Sequence, residues 1–224
     1  MILFGIVIVV AQIIIIAINL STHLPTYQPT YLPTLYIIGA VIISTAAEVV
    51  IDAITNGLIR ALPQRWFNPF FNRFKVSKKE QRFYEKLGIR KWKDKVPDLG
   101  FLTKFNKNKV QDPTNNKYIE RYLLEAAYGR VGHLVSLFTG FSVIFIYPLK
   151  FAINFGIPIA IVNFVLNLMT YMVLRYNFPK LLTLHKRNSK RESLAINENK
   201  PSQKSKPLLD DTELADSFNQ PKPS

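Results

Sequence analysis

Residues 35–59 read "LYIIGAVIISTAAEVVIDAITNGLI", a block whose only charged side chains are Glu48 and Asp52. At about 1.5 Å rise per residue, a helix of this length covers roughly 37 Å, more than the ~30 Å hydrocarbon core of a bilayer. Three further blocks share the character. Residues 1–20 carry no charge at all, and 131–149 and 156–174 are uncharged, with Lys150 the only cation between them. A backbone in lipid must satisfy its own hydrogen bonds, so such blocks become helices. The expected fold is therefore all-α, a polytopic membrane protein with about four transmembrane helices. The leading block lacks the basic start and short apolar core of a cleaved signal peptide, and is read as a retained helix.

Charge placement orients these helices. Residues 60–130 hold 18 Lys and Arg against 7 Asp and Glu, so most of the formal +14 charge sits in one segment. Ten more cations follow Leu174, whereas residues 21–34 have none. The excess of Lys and Arg on the inner side of membranes then places both termini and the long loop in the cytoplasm of a multi-pass protein of the cell membrane. The organisation reads as helix 1–20, an external Pro-rich loop 21–34, helix 35–59, a basic cytoplasmic or interfacial segment 60–130, two helices within 131–174, and a cytoplasmic end 175–224. The chain has no cysteine, which excludes a disulfide scaffold and thiol catalysis.

The basic segment is amphipathic in a particular way. Aromatic residues at 66, 67, 70, 71 and 74 alternate with Arg65, Arg73 and Lys75, a pattern that suits a stretch lying in the headgroup plane with its rings inserted in the lipid bilayer. Nucleic acid, the other partner of basic and aromatic stretches, is not expected, because membrane helices flank this one closely on both sides. Residues 101–116 read as a mobile loop. Beyond about Leu184 the sequence turns polar and poor in aromatics, as in a disordered C-terminal tail.

The stretch "YLLEAAYGRVGHLVSLFTG", residues 122–140, carries the strongest chemical signal. On one helix Glu125, Gly129, His133, Ser136 and Gly140 share a side, so small residues leave a groove around an imidazole suited to taking a proton from a hydroxyl. Close helix packing by the same small residues is the plainer alternative. On a straight helix Glu125 and His133 lie too far apart to bond, unless Gly129 and Gly132 break it. Glu48 and Asp52 share one face of their helix, and Glu48, close to the bilayer centre, must be paired, protonated or in a wet cavity. Lys150 and Arg130 are candidate partners. In "RYNFPKL", residues 175–181, Arg175 can snorkel, Tyr176 can sit at the interface, and Asn177 and Pro179 can open a new helix after the last span. There is no glycine-rich phosphate loop, no paired-histidine zinc spacing and no Asp five residues after His133, where Phe138 stands. No metal or other cofactor is expected.

Taken in order, "NGLIRALP" at 56–63, "KKEQRFYEKLGIRKWKDKVPD" at 78–98, Glu125 with His133, and "RYNFPKL" resemble the glycosyl-4,4'-diaponeurosporenoate acyltransferases of the staphyloxanthin-type carotenoid pathway, over residues 35–187. The resemblance implies transfer of a fatty acyl chain from acyl-CoA or acyl carrier protein to a sugar hydroxyl of a membrane glycolipid acceptor. It implies His133 as general base with Glu125 orienting. Arg90, Lys91 and Lys93 would hold an anionic donor beside Trp92, and Arg175, Asn177, Glu80 and Asn56 would complete the substrate-binding set. The first helix, the charged tail, Glu48 and Asp52 depart from that pattern. Two other functions fit the composition: a non-catalytic membrane scaffold binding anionic lipid through the basic loop, and a transporter relaying protons through Glu48 and Asp52.

Overall fold

The computed structural model describes residues 2–23, 31–96, 110–148 and 152–198. Half of the Pro-rich loop, the larger part of the loop at 101–116, Lys150 and the tail from 199 lie outside the described residues. Among those described, every element is helical: α1 Ile2–His23, α2 Tyr31–Ala61, α3 Lys78–Lys86, α4 Ile89–Trp92, α5 Asn116–Thr139 and α6 Ile157–Glu198, with short 3-10 turns between them. Three apolar stretches are long enough to cross a membrane, Thr34–Ala61, Asn116–Ile146 and Ala152–Asn197, while that of α1, Gly5–Ser21, is shorter. The chain divides into two compact units, the first formed by Met1–Ile59, Trp92–Pro97 and Val131–Tyr171, the second by Arg60–Lys91, Asp98–Arg130 and Met172–Ser224.

The first unit is inverted relative to a soluble domain. On α2, Ile43, Val50, Ile54 and Leu58 face outward, whereas Ser44, Glu48 and Thr55 are buried. Apolar surface on this scale outside and polar groups inside is the pattern that lipid as solvent favours. An apolar cluster of Ile15, Ile37, Ala40, Val41, Phe155 and Ile159 holds one region together. Polar bonds fix the helices around it: Gln12 donates to Thr45 Oγ1 at 3.0 Å, and the Tyr147 hydroxyl donates to the Ala40 carbonyl at 2.9 Å. After α5 the chain tightens into a 3-10 run, Gly140–Ile146, then passes through a π-type turn, Ala152–Gly156, into α6. Packing is close there: a Cβ on Gly156 would stand 3.1 Å from the Ile144 Cα.

The second unit corrects the reading of its aromatic residues. Phe67 and Phe74 are buried, not inserted in lipid; Phe67 stacks on Tyr128 at 4.0 Å and Phe70 meets His185 at 5.4 Å between ring centroids. Rings already packed against protein cannot also serve as membrane anchors, and of the five only Trp66 is largely exposed. Arg130 is fully buried, its guanidinium 3.6 Å from the Phe178 ring centroid and 4.7 Å from that of Phe74, and it donates to the Phe74 carbonyl at 2.9 Å. Helix α3 opens on a capping box, with the Ser77 hydroxyl accepting from the Glu80 amide at 3.1 Å. It ends before Gly88, whose φ of 66° lets the chain turn into α4. Asn115 caps α5 by accepting from the Tyr118 amide at 3.1 Å.

Helix α6 also differs from expectation. It does not end near Asn177; it runs 42 residues with Pro179 inside it, to Glu198, through the stretch expected to be disordered. A proline inside a helix removes one backbone donor, but packing outweighs that loss here. Phe178, Leu181, His185 and Asn188 are all buried. His185 Nε2 lies 3.0 Å from Glu120, Asn188 donates to the Pro113 carbonyl at 2.8 Å, and Asn116 donates to Ser189 at 2.8 Å. The buried face continues at helical spacing, but with polar residues that bury by bonding rather than by apolarity.

Candidate functional site

His133 sits on the α5 portion of the first unit, partly exposed, where its neighbours Gly132 and Ser136 are buried. Its Nδ1 lies 2.7 Å from Asn167 Oδ1. Asn167 donates through Nδ2 to Asp52 Oδ2 at 3.1 Å and to Asn163 Oδ1 at 2.7 Å. Asn163 in turn faces Asp52 Oδ1 with its own Nδ2, in a longer contact at 3.5 Å. Asn163 and Asn167 are four apart, so they lie on one face of α6, as Glu48 and Asp52 do on α2. The result is a chain from a carboxylate through an amide to an imidazole, all inside one unit.

Small residues make room for it. A Cβ on Gly132 would fall 2.2 Å from Asn56 Oδ1, and one on Gly140 would fall 2.3 Å from both Asn163 Nδ2 and Glu48 Oε1. Asn56 donates to the Asp52 carbonyl at 2.8 Å and reaches Ser136 Oγ at 3.4 Å. Glu48 is buried against Gly140 and Asn163, and among the described residues neither of its carboxylate oxygens has a hydrogen-bond partner. Beside the network runs a small cleft of about 60 Å³, lined by residues including Ile8, Ala11, Ile15, Val49, Ile159 and Asn163. The surface it offers is apolar, and Asn163 belongs both to its wall and to the hydrogen-bonded chain.

The remaining expected site residues are placed as follows. Helix α5 runs unbroken through Gly129 and Gly132, so the helix break that would alter the spacing of Glu125 and His133 does not occur. Glu125 belongs to the second unit, where it accepts from Arg60 at 2.7 Å. Glu80 takes both Arg175 donors, at 2.7 and 2.6 Å, and the Tyr84 hydroxyl at 2.6 Å. Burial pushes the Glu80 carboxyl up, but the bonds from Arg175 and Tyr84, with the guanidinium charge, hold it below the usual range. Burial next to that carboxylate pushes the Tyr84 hydroxyl up. Arg90 donates to the Tyr176 hydroxyl at 3.0 Å and pairs with Glu85. Lys91 is exposed, Trp92 is half-buried, and Lys93 pairs with Asp94 at 2.7 Å. Asn177 is half-buried within α6 rather than at a cap.

Asn163 and Asn167 escaped the sequence reading. They lie in "IVNFVLNLMT", where two amides one turn apart in an otherwise apolar span mark an inward polar face. Arg60 and Tyr176 were missed as partners because they stand far along the chain from Glu125 and Arg90.

Two such polar frameworks, one within helices long and apolar enough to cross a membrane and one within a strongly basic unit, invite comparison with proteins of known chemistry. No curated protein and no solved structure matches the chain. The sequence pattern of the glycosyl-4,4'-diaponeurosporenoate acyltransferase family matches residues 63–187, which take in His133, Asn163, Asn167, Glu80 and Arg175 but not Asp52. Because the match covers more than half of its length, the protein belongs to this family of acyltransferases.

Proposed function

We propose that the protein is a polytopic membrane enzyme that moves a fatty acyl chain from a thioester donor to a sugar hydroxyl of a membrane glycolipid, of the glycosyl-carotenoid type. Membership of the acyltransferase family supports the reaction class. The observation that carries the rest is the imidazole of His133, whose Nδ1 lies 2.7 Å from the Asn167 amide oxygen; with the ring proton on Nδ1 in that bond, the basic lone pair is on Nε2. Nε2 takes the hydroxyl proton as the oxygen attacks the thioester carbonyl; the C–S bond breaks, and the proton passes to the departing thiolate. The apolar cleft suits the hydrocarbon part of a lipid substrate.

The basic segment has a separate task in this proposal. Exposed Lys91, with Arg90 and Lys93, raises the local concentration of an anionic donor such as acyl-CoA or acyl carrier protein. Glu125 and Asn177 position substrate, and the Glu80–Arg175 pair keeps the basic unit in shape. In this arrangement α1 is a fourth span and both termini face the cytoplasm, in accord with the distribution of Lys and Arg.

A second reading, a scaffold that binds anionic lipid, gains from the exposed Trp66, Phe83 and Leu87 among the cations of the second unit. Mass spectrometry of lipids from cells making the wild-type chain, His133→Ala, or Lys91→Gln with Lys93→Gln separates the two. Acyl transfer requires an acylated glycolipid that disappears with His133→Ala at normal protein level. A product, or a phenotype, that depends on the lysines and ignores His133 would favour the scaffold.

A further inference from the structure

We infer that Asp52 sets the direction of the hydrogen bonds that reach His133, acting through Asn163 and Asn167 as a positioning residue for the base. This deepens the proposed function and rests on it for its effect on acyl transfer. An imidazole and a primary amide can each donate or accept, so a chain built of these alone has two possible directions. A carboxylate only accepts. Asp52 meets Nδ2 of Asn167 at 3.1 Å and Nδ2 of Asn163 at 3.5 Å, so both amides turn their nitrogens toward it. Asn163 is then left presenting Oδ1, at 2.7 Å, and its main-chain carbonyl, at 3.2 Å, to Asn167 Nδ2, and Asn167 presents Oδ1 to His133, also at 2.7 Å.

In that direction His133 must donate from Nδ1. The neutral ring carries its proton there and accepts at Nε2, the tautomer a general base needs. Asp52→Asn removes the charged acceptor while keeping its shape and leaves the Asn163 carbonyl, at 3.2 Å, as the acceptor-only group that still faces Asn167 Nδ2. The opposite direction becomes less costly, and the Nε2–H tautomer, which cannot take a proton from substrate, gains population. Asp52 lies outside the span matched by the family, whereas the three residues it orients lie inside it.

The test is nitrogen-15 NMR of the full-length protein in lipid nanodiscs, labelled at histidine, at about pH 8, above the ordinary imidazole pKa of about 6.5. The chain has 3 histidines, and His133→Gln identifies the signal of interest. Wild type is expected to carry the His133 proton on Nδ1, and Asp52→Asn and Asn167→Leu are expected to shift a large fraction to Nε2. In the acyl-transfer assay the same variants should lose about 10- to 100-fold in kcat, as expected when a group behind a functional histidine is lost, with KM little changed. A wild-type ring protonated on Nε2, or a tautomer unmoved by Asp52→Asn, would overturn the inference. The wild-type spectrum alone can do so even if a variant fails to fold. If the expected tautomers are found but wild type transfers no acyl group, the bond direction stands and the acyltransferase reading of His133 fails.

Discussion

Replacing Glu80 by glutamine should remove the Glu80–Arg175 ion pair of the second unit while keeping its shape. Arg175 donates to both carboxylate oxygens and Tyr84 adds a third short bond, at 2.7, 2.6 and 2.6 Å. The Arg175 and Glu80 side chains are 13% and 23% exposed, so water screens the pair only in part. A hydrogen bond to a charged group is worth about 1.5–3 kcal/mol, and breaking a fully buried pair costs about 3–5 kcal/mol. Allowing for the remaining exposure, the expected loss is about 2–3 kcal/mol. At roughly 2–4 °C per kcal/mol for a chain of this size, the midpoint of thermal unfolding should fall by about 4–12 °C. A cycle of Glu80→Gln, Arg175→Met and the double variant in one detergent should show a coupling of about 2 kcal/mol; additive losses would refute the pair as a stabilising unit. The pH dependence has a definite sign. The folded carboxyl titrates below its ordinary value of 4.5, so its contribution is complete above 4.5 and fades as pH falls through the lower folded value. The gap between wild type and Glu80→Gln should therefore close only in acid.

Other expectations follow from single positions. Gly88→Ala should cost about 1–2 kcal/mol in thermal unfolding, all of it from the left-handed backbone, since no atom lies within 4 Å of the added methyl. Arg130→Lys keeps the charge but loses the planar stack between Phe74 and Phe178, and should destabilise by about 2–4 kcal/mol; an unchanged midpoint would show that charge alone matters there. Gly140→Ala must displace Asn163 or Glu48, each 2.3 Å from the new methyl. It should lower acyl transfer by about tenfold or more, with a smaller effect on unfolding, and full activity would separate this network from catalysis.

Three of the four expected long apolar helices were legible in the sequence because lipid imposes a coarse rule, long apolar runs, which residues 35–59 and 156–174 obey. The family was legible because short polar strings such as "RKWKDK" and "RYNFPKL" survive as strings. Tertiary exchange was not legible. Phe67 and Phe74 alternate with cations as membrane anchors do, yet they bury against Tyr128 and Arg130, whose partnership spans about sixty residues of chain. The end of α6 was missed because His185 and Asn188 look solvated, and only the opposing Glu120 and Pro113 carbonyl make their burial affordable. Glu48 was found as an anomaly and its partners were sought among cations; the amides that line this face were not foreseen, and they meet its neighbour Asp52.

The carboxylates of α2 and the amides of α6 that receive Asp52 are separated by more than one hundred residues. A ribosome therefore delivers Glu48 and Asp52 to the translocon well before Asn163 and Asn167 have been synthesised. An acidic group at the centre of a nascent span raises its insertion free energy by about 3 kcal/mol, so α2, read as a span, should be a marginal one until the Asn163 and Asn167 amides of α6 reach Asp52. Chains truncated before residue 157 should accordingly be poor at retaining α2 in the bilayer and prone to quality-control proteolysis, and exchanging Glu48 and Asp52 for leucine should relieve that dependence on the order of synthesis.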